Sequence, residues 1–340
     1  MLPDQSALCT LLARWLPGAT VFLAPATSGR STPVWRVDAS WQGQPSDRFY
    51  LRLGEEPGER RDGEVRAHQM LRAAGIQVPE VVAWEGMPPE LDRAATLTRA
   101  IPGMPLKGIA QTTTPVTSAA IAREAGRELA CMGAIPVEGF GWTGFVQPDA
   151  TTGMLRAEHA TRGAWLAEYE RALQNVIAAG MIAPAHIATL RETFAAWRDG
   201  VSSTSITATL AHGDFDASHI FCASPDTFRA GAGVPYAYTG IIDLGEARGA
   251  DPLYDLGHAL LHDGEDGMPA IFPALLAGYR EIRPLGHDAL DAIRVQAIAI
   301  GVRHLAIAHR RGSPYADALA DRLGVLLGTQ IGDDGRERRP

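Results

Sequence analysis

The residues able to do chemistry concentrate in Leu210-Ala211-His212-Gly213-Asp214-Phe215-Asp216-Ala217-Ser218-His219-Ile220-Phe221. A second group, Ile241-Ile242-Asp243-Leu244-Gly245-Glu246, follows downstream. In the first, an apolar run enters a polar turn with two carboxylates and two histidines and leaves as another apolar run. In the second, a strand-like segment ends on Asp243, with Glu246 as a further candidate ligand. Phosphoryl transfer needs such parts: a carboxylate to orient a hydroxyl, and ligands that hold a divalent cation against the phosphates. The same residues admit another chemistry. His212, Asp214, His219, Asp243 and His258 offer nitrogen and carboxylate ligands that suit Zn²⁺ or Mn²⁺ in a metal-dependent hydrolase.

His212-Gly213-Asp214 with His219 five residues on, then Ile241-Ile242-Asp243-Leu244-Gly245, resembles the aminoglycoside phosphotransferase family. Its counterpart motifs read H-G-D-x-x-x-x-N and I-D-F/W-G. Gly249-Ala250-Asp251-Pro252-Leu253-Tyr254-Asp255-Leu256 continues the likeness to that family's G-D-P-x-x-D-L segment. The resemblance implies an α+β, two-lobed, protein-kinase-like fold: a small antiparallel-sheet lobe over residues 1–101 and a larger, mostly helical lobe over 102–340. It implies transfer of a γ-phosphate from ATP or GTP, with Mg²⁺ or Mn²⁺, to a hydroxyl of a small molecule such as an aminoglycoside, a macrolide or a metabolite. Asp214 would be the catalytic base, and His219 and Asp243 the metal ligands. His219 stands where the family has Asn, which raises a third possibility, a nucleotide-binding module without turnover.

Upstream elements must carry the nucleotide. Residues 20–23 and 34–37 read as strands around the polar turn Thr27-Ser28-Gly29-Arg30-Ser31-Thr32. Such a unit can lay backbone N–H groups over phosphates, which makes Ser28 and Gly29 candidates. Phe49-Tyr50-Leu51-Arg52-Leu53 alternates and puts Tyr50 and Arg52 on one face. Arg52 occupies the place of the kinase strand lysine. Its expected partner is Glu64, on a helix over 63–74, with Glu59 in reserve. Strands over 81–84 and 95–100 lead to a hinge at Ile101-Pro102-Gly103, where the backbone from Thr98 to Ala100 could meet a purine edge.

Beyond the hinge, apolar periodicity predicts helices over 117–132, 158–182, 186–197, 255–262, 270–282, 289–310 and 315–327. Residues 223–234, with Pro225, Gly231 and Gly233, read as an enlarged hairpin loop. Residues 332–340 are charged and expected to fray. Asp255 is expected to brace the catalytic loop or a helix start. Asp216, Asp263, Glu265 and Asp266 are candidates for binding an acceptor, and the last three could hold ammonium groups.

Composition narrows the partners. The 340 residues are 46% hydrophobic and 21% charged, an ordinary globular balance. A net charge of −8 argues against nucleic acid and suits a cationic small molecule. Cys9, Cys131 and Cys222 are too few and scattered for a disulfide framework or a thiolate zinc site. The sequence has no leader-like start and no apolar run of membrane-spanning length, so a cytoplasmic monomer or homodimer without membrane contact is expected.

Overall fold

The first helix, α1 (Gln5–Trp15), starts where the Asp4 side chain accepts a hydrogen bond from the Ser6 backbone N–H. That bond satisfies one of the donors a helix start leaves open. Leu8, Leu11 and Leu12 share one helical face and are buried against Val37, Phe49, Leu51 and Leu97. Each such leucine contributes about 2 kcal/mol by leaving water. The computed structural model describes residues 4–26, 34–109, 111–144, 146–199, 207–224 and 236–338.

The sheet under α1 contains β1 (Thr20–Pro25), β2 (Val34–Ser40) and β3 (Asp47–Leu53). After α2 (Asp62–Ala73) come β4 (Val81–Glu85) and β5 (Ala95–Arg99). Strand order is β1-β2-β3-β5-β4, antiparallel at every pairing. Along β3, Phe49, Leu51 and Leu53 face the core under α1, so Tyr50 and Arg52 face the opposite side. That alternation alone aims Arg52 into the cleft. α2 lies on the cleft side of the sheet. Its Ala67 and Leu71, with Ile76 and Val78 after it, join the larger apolar core of the C-terminal part.

That part starts with β6 (Met104–Pro105), α3 (Leu106–Ile109) and α4 (Pro115–Met132). Thr114 caps α4 and Pro115 opens it. β7 (Gly141–Trp142), α5 (Arg162–Ala178) and α6 (Pro184–Asp199) follow. Next come β8 (Thr209–Ala211), β9 (Ile220–Ala223), β10 (Ala237–Ile241) and β11 (Arg248–Ala250). β9 and β10 pair as an antiparallel hairpin, as expected, although most of its connecting loop lies outside the described residues. β11 pairs with both β7 and β8. Helices α7 (Tyr254–Leu261), α8 (Phe272–Ile282), α9 (Ala289–Arg310) and α10 (Tyr315–Leu327) complete the core, with α9 packed against α5, α7 and α10.

The C-terminal expectation needs correction. β12 (Gln330–Ile331) pairs with β13 (Glu337–Arg338) in a small hairpin. Ile331 is buried, and Glu337 forms an ion pair with Arg322 at 2.5 Å. Gly335 supplies the positive φ that its turn requires. Among the described residues, no helix is long and apolar enough to cross a membrane.

Candidate functional site

Two short loops carry the site, one after β8 and one after β10. They are stitched together by backbone and by one histidine. The Ile242 N–H donates to the His219 carbonyl at 3.0 Å. His212, fully buried, places Nε2 2.8 Å from the Ile242 carbonyl and Nδ1 3.3 Å from the Asp214 N–H. The geometry therefore assigns Nε2 as donor and Nδ1 as acceptor. Burial, with His219 nearby, holds the His212 pKa below its usual value. His212 is a neutral clasp between the loops, and neither of its nitrogens is left for a metal.

Gly213 makes this approach feasible. Its φ is +90°, and a Cβ there would lie 2.0 Å from the Glu246 carbonyl oxygen. Asp255, at the start of α7, accepts hydrogen bonds from the N–H groups of His212 at 2.7 Å and Gly213 at 2.9 Å. This is the loop-bracing role expected for it. Behind it, buried Asp251 is held by Arg162 and Gln296.

Asp214 presents a side chain that is 44% exposed, so a small molecule can reach it. Burial pushes its pKa upward, but the neighbouring His258, His219 and His212 rings outweigh that and hold it well below the carboxylate norm. Asp214 is therefore ionised and able to accept a proton. His258 Nε2 lies 3.3 Å from Asp214 Oδ1, in ion-pair contact without hydrogen-bond geometry. The sequence grouped His258 with Asp214 only as joint metal ligands of a hydrolase; the phosphotransferase motifs do not include it. A usable signal existed: His258 lies three residues after Asp255, on the same helical face.

Asp243 is, among the described residues, the one non-glycine residue with positive φ, at 64°. A non-glycine residue in this region marks a constrained position. The turn exposes 46% of its side chain, with Oδ1 2.7 Å from Arg52 Nη1 and Oδ2 3.9 Å from His219 Nε2. Burial opposes ionisation, but Arg52 and His219 lower its pKa to about 2. His219 Nδ1 is 2.5 Å from the Asp214 backbone carbonyl, to which it can only donate, so Nε2 is left facing Asp243. Asp243 and His219 thus offer one oxygen and one nitrogen to a shared point.

Arg52 also reaches Glu64, with Nη1 3.3 Å from Oε1, so the structure brings the expected pair together. Glu59 is not the reserve partner of Arg52. It pairs with Arg61 at 2.8 Å, and Arg61 in turn holds Glu64 at 2.7 Å. Arg61 was not singled out from the sequence, although it precedes Glu64 by one helical turn. Arg52 rests against Gly245, where a Cβ would meet its Nη2 at 2.2 Å.

Arg52, Glu64, Thr98, Ala100 and Asp243 line one cleft between the sheet and the β9–β10 hairpin. It encloses about 1030 Å³ including its open mouth. Val34, Tyr50, Ile101, Phe221, Ile242 and Leu244 give it apolar walls. An apolar slot with charged groups at one end suits a flat heterocycle carrying an anionic chain. Ser28 and Gly29 lie outside the described residues, as does the side chain of Asp266.

The remaining acidic candidates face their own fold. Asp263 Oδ1 accepts hydrogen bonds from the N–H groups of Ile271 at 2.6 Å and Phe272 at 2.9 Å. It therefore caps the start of α8, because open helix donors need an acceptor. Glu265 Oε2 is taken by His262 at 2.9 Å and Tyr315 at 2.6 Å. Asp216 Oδ1 is taken by the Ser218 N–H and hydroxyl, both at 2.6 Å. The expectation that Asp263 and Glu265 await an ammonium group is corrected accordingly. Glu246 accepts from the Trp142 indole and Arg248, away from a metal-ligand role.

A thermostable mutant of aminoglycoside phosphotransferase APH(4)-Ia, in a ternary complex with AMP-PNP and hygromycin B, has a similar structure. The TM-score is 0.63 at 16% identity, covering 94% of this chain and 97% of that one. The GDP complex of aminoglycoside 2'-phosphotransferase-IIIa gives 0.62 at 15% identity, with 95% and 98% covered. A candidate fructosamine-3-kinase from Thermobifida fusca gives 0.56 at 18% identity, with 95% and 99% covered. These likenesses establish the kinase-like fold. No curated protein sequence matches this chain. The model of the phosphotransferase enzyme family matches residues 23–293, which include the sheet from within β1 onward, the cleft and both site loops. The chain belongs to the phosphotransferase enzyme family.

Proposed function

We propose that the protein is a small-molecule kinase that moves the γ-phosphoryl group of ATP or GTP to a hydroxyl of its acceptor. One observation carries this reading. Asp214 and Asp243, both ionised and open to solvent, stand on two loops clasped by His212, with Arg52 tying Asp243 to the cleft. The residues divide the work. The cleft walls take the base, and Thr98 and Ala100 mark the hinge that meets its edge. Arg52, held by Glu64, supplies positive charge toward the phosphates. Asp214 orients the acceptor hydroxyl and receives its proton late, as the new oxygen–phosphorus bond forms and the bond to the departing diphosphate breaks.

A divalent cation would neutralise charge on the phosphates, and Asp243 with His219 is the donor pair that fits it. Carboxylate oxygen suits Mg²⁺, whereas imidazole nitrogen favours Mn²⁺, Co²⁺ or Zn²⁺. Burial opposes protonation of His219, but Asp214, Asp216 and Asp243 outweigh it and raise the pKa. Its proton must leave before Nε2 can bind a metal, so metal support weakens as pH falls. The wild type should therefore favour Mn²⁺ over Mg²⁺ in kcat/KM. His219→Asn should move that preference toward Mg²⁺, and an unchanged ratio would remove His219 from the metal shell.

The acceptor class is a hydroxylated small molecule, with aminoglycosides, macrolides and metabolites as candidates. The net charge of −8 favours a cationic one. The deciding experiment incubates the purified chain with ATP or GTP and a panel of such acceptors and follows phosphate transfer. Transfer to at least one acceptor is expected. Thermal stabilisation by nucleotide with no transfer across the panel would favour the inactive module. Metal-dependent hydrolysis without nucleotide affinity would favour the hydrolase, a reading already weakened by the engaged nitrogens of His212.

A further inference from the structure

We infer that His258, His262 and His304 form a second metal site, for a divalent transition ion such as Zn²⁺, Co²⁺ or Ni²⁺, directly behind the Asp214 carboxylate. One ligand atom from each imidazole lies within 4.8 Å of the other two. Ring centroids are 4.6 Å apart for His258 and His262, 5.4 Å for His258 and His304, and 5.7 Å for His262 and His304. His258 and His262 are four residues apart at the end of α7, the spacing that puts two imidazoles on one helical face. His304 comes from α9, packed alongside.

The outer contacts suit ligation. His258 Nδ1 is 3.1 Å from the Phe215 carbonyl, and His262 Nδ1 is 2.9 Å from Glu265 Oε2. Metal-bound histidines are held in this way, with a carbonyl or carboxylate on one nitrogen and the ion on the other. His258 is fully buried, with its Nε2 3.3 Å from Asp214 Oδ1 and no other polar neighbour in hydrogen-bond geometry among the described residues.

Three nitrogens select borderline transition ions over Mg²⁺. Zinc–nitrogen bonds of about 2.0–2.1 Å place tetrahedral ligand atoms roughly 3.4 Å apart, so the rings would draw together by about 1 Å. This site is separate from the His219–Asp243 pair, which mixes nitrogen with oxygen. Its open side faces Asp214 Oδ1, 3.3 Å from His258 Nε2.

The test titrates the full chain, without nucleotide, with Co²⁺ and follows the visible d–d absorption. Zn²⁺ is then added as competitor. One saturable cobalt equivalent, displaced by Zn²⁺ and retained in His219→Asn, is expected. Affinity should fall by more than about tenfold in His262→Gln and in His304→Gln, since even outer partners of such ligands are worth that much. Circular dichroism of the metal-free variants checks folding. Should His262→Gln not fold, His304→Gln on the half-buried ring and Glu265→Gln behind His262 carry the test. Absence of saturable cobalt binding, or an unchanged spectrum and affinity in His304→Gln, would overturn the site. This outcome is independent of phosphoryl transfer, so failure of the kinase reading leaves the cobalt result standing.

Discussion

Asp214→Asn should lower phosphate-transfer turnover by about 10²- to 10⁴-fold, the usual contribution of a positioned general base. The nucleotide KM should stay close to wild type. Asn keeps the size of the side chain and can still accept a hydrogen bond, but it cannot take the proton. The loop should survive, because it is held by groups other than the Asp214 side chain. His212 clasps Ile242, and Asp255 binds the N–H groups of His212 and Gly213. Steady-state kinetics with nucleotide and acceptor varied separately would check this. A loss confined to KM would mean that Asp214 binds rather than reacts, and wild-type turnover would remove it from the mechanism.

Arg61→Ala should destabilise the fold by about 3–5 kcal/mol, the cost of breaking a buried ion pair from one side. Arg61 is only 3% exposed and holds both Glu59 and Glu64. Its loss leaves buried Glu64 paired with Arg52 at the longer distance of 3.3 Å. Urea unfolding at neutral pH would measure the effect. The pH dependence has a definite sign. Burial pushes the Glu64 pKa up, but Arg52 and Arg61 outweigh it and hold the carboxyl below its ordinary value. A depressed carboxylate stabilises fully above the unfolded value of about 4.3, and that stability is lost as pH falls through the folded value. The gap between wild type and Arg61→Ala should therefore be widest near neutral pH and narrow in acid. A gap that stays constant down to low pH would show that Arg61 acts through packing alone.

The cleft geometry explains why some assignments were legible in the sequence and others were not. Strand alternation in Phe49-Tyr50-Leu51-Arg52-Leu53 put Arg52 opposite the core, because a pleated strand leaves its side chains no other choice. Most helix bodies followed from apolar spacing, but helix ends did not: the stretch read as helical over 158–182 is helix only from Arg162 to Ala178. The acidic stretch after α7 misleads for a local reason. Asp263 and Glu265 look like solvent-facing charges until the start of α8 and the Tyr315 hydroxyl are brought to them. Nothing in the order of residues announces that a helix beginning at Phe272 will need an acceptor from residue 263.

By itself, then, the sequence determined the antiparallel sheet, the helical remainder and the two loops bearing Asp214 and Asp243, since periodicity and turn chemistry act over a few neighbouring residues. Tertiary structure alone decided the rest. It closed the chain Glu59–Arg61–Glu64–Arg52–Asp243 across the cleft, set His258 against Asp214, and turned His219 Nε2 toward Asp243. The reason is range. A side chain's pairing partner and protonation depend on burial and on charges within a few ångströms, and packing of the helices, strands and loops brings those neighbours in from distant parts of the chain.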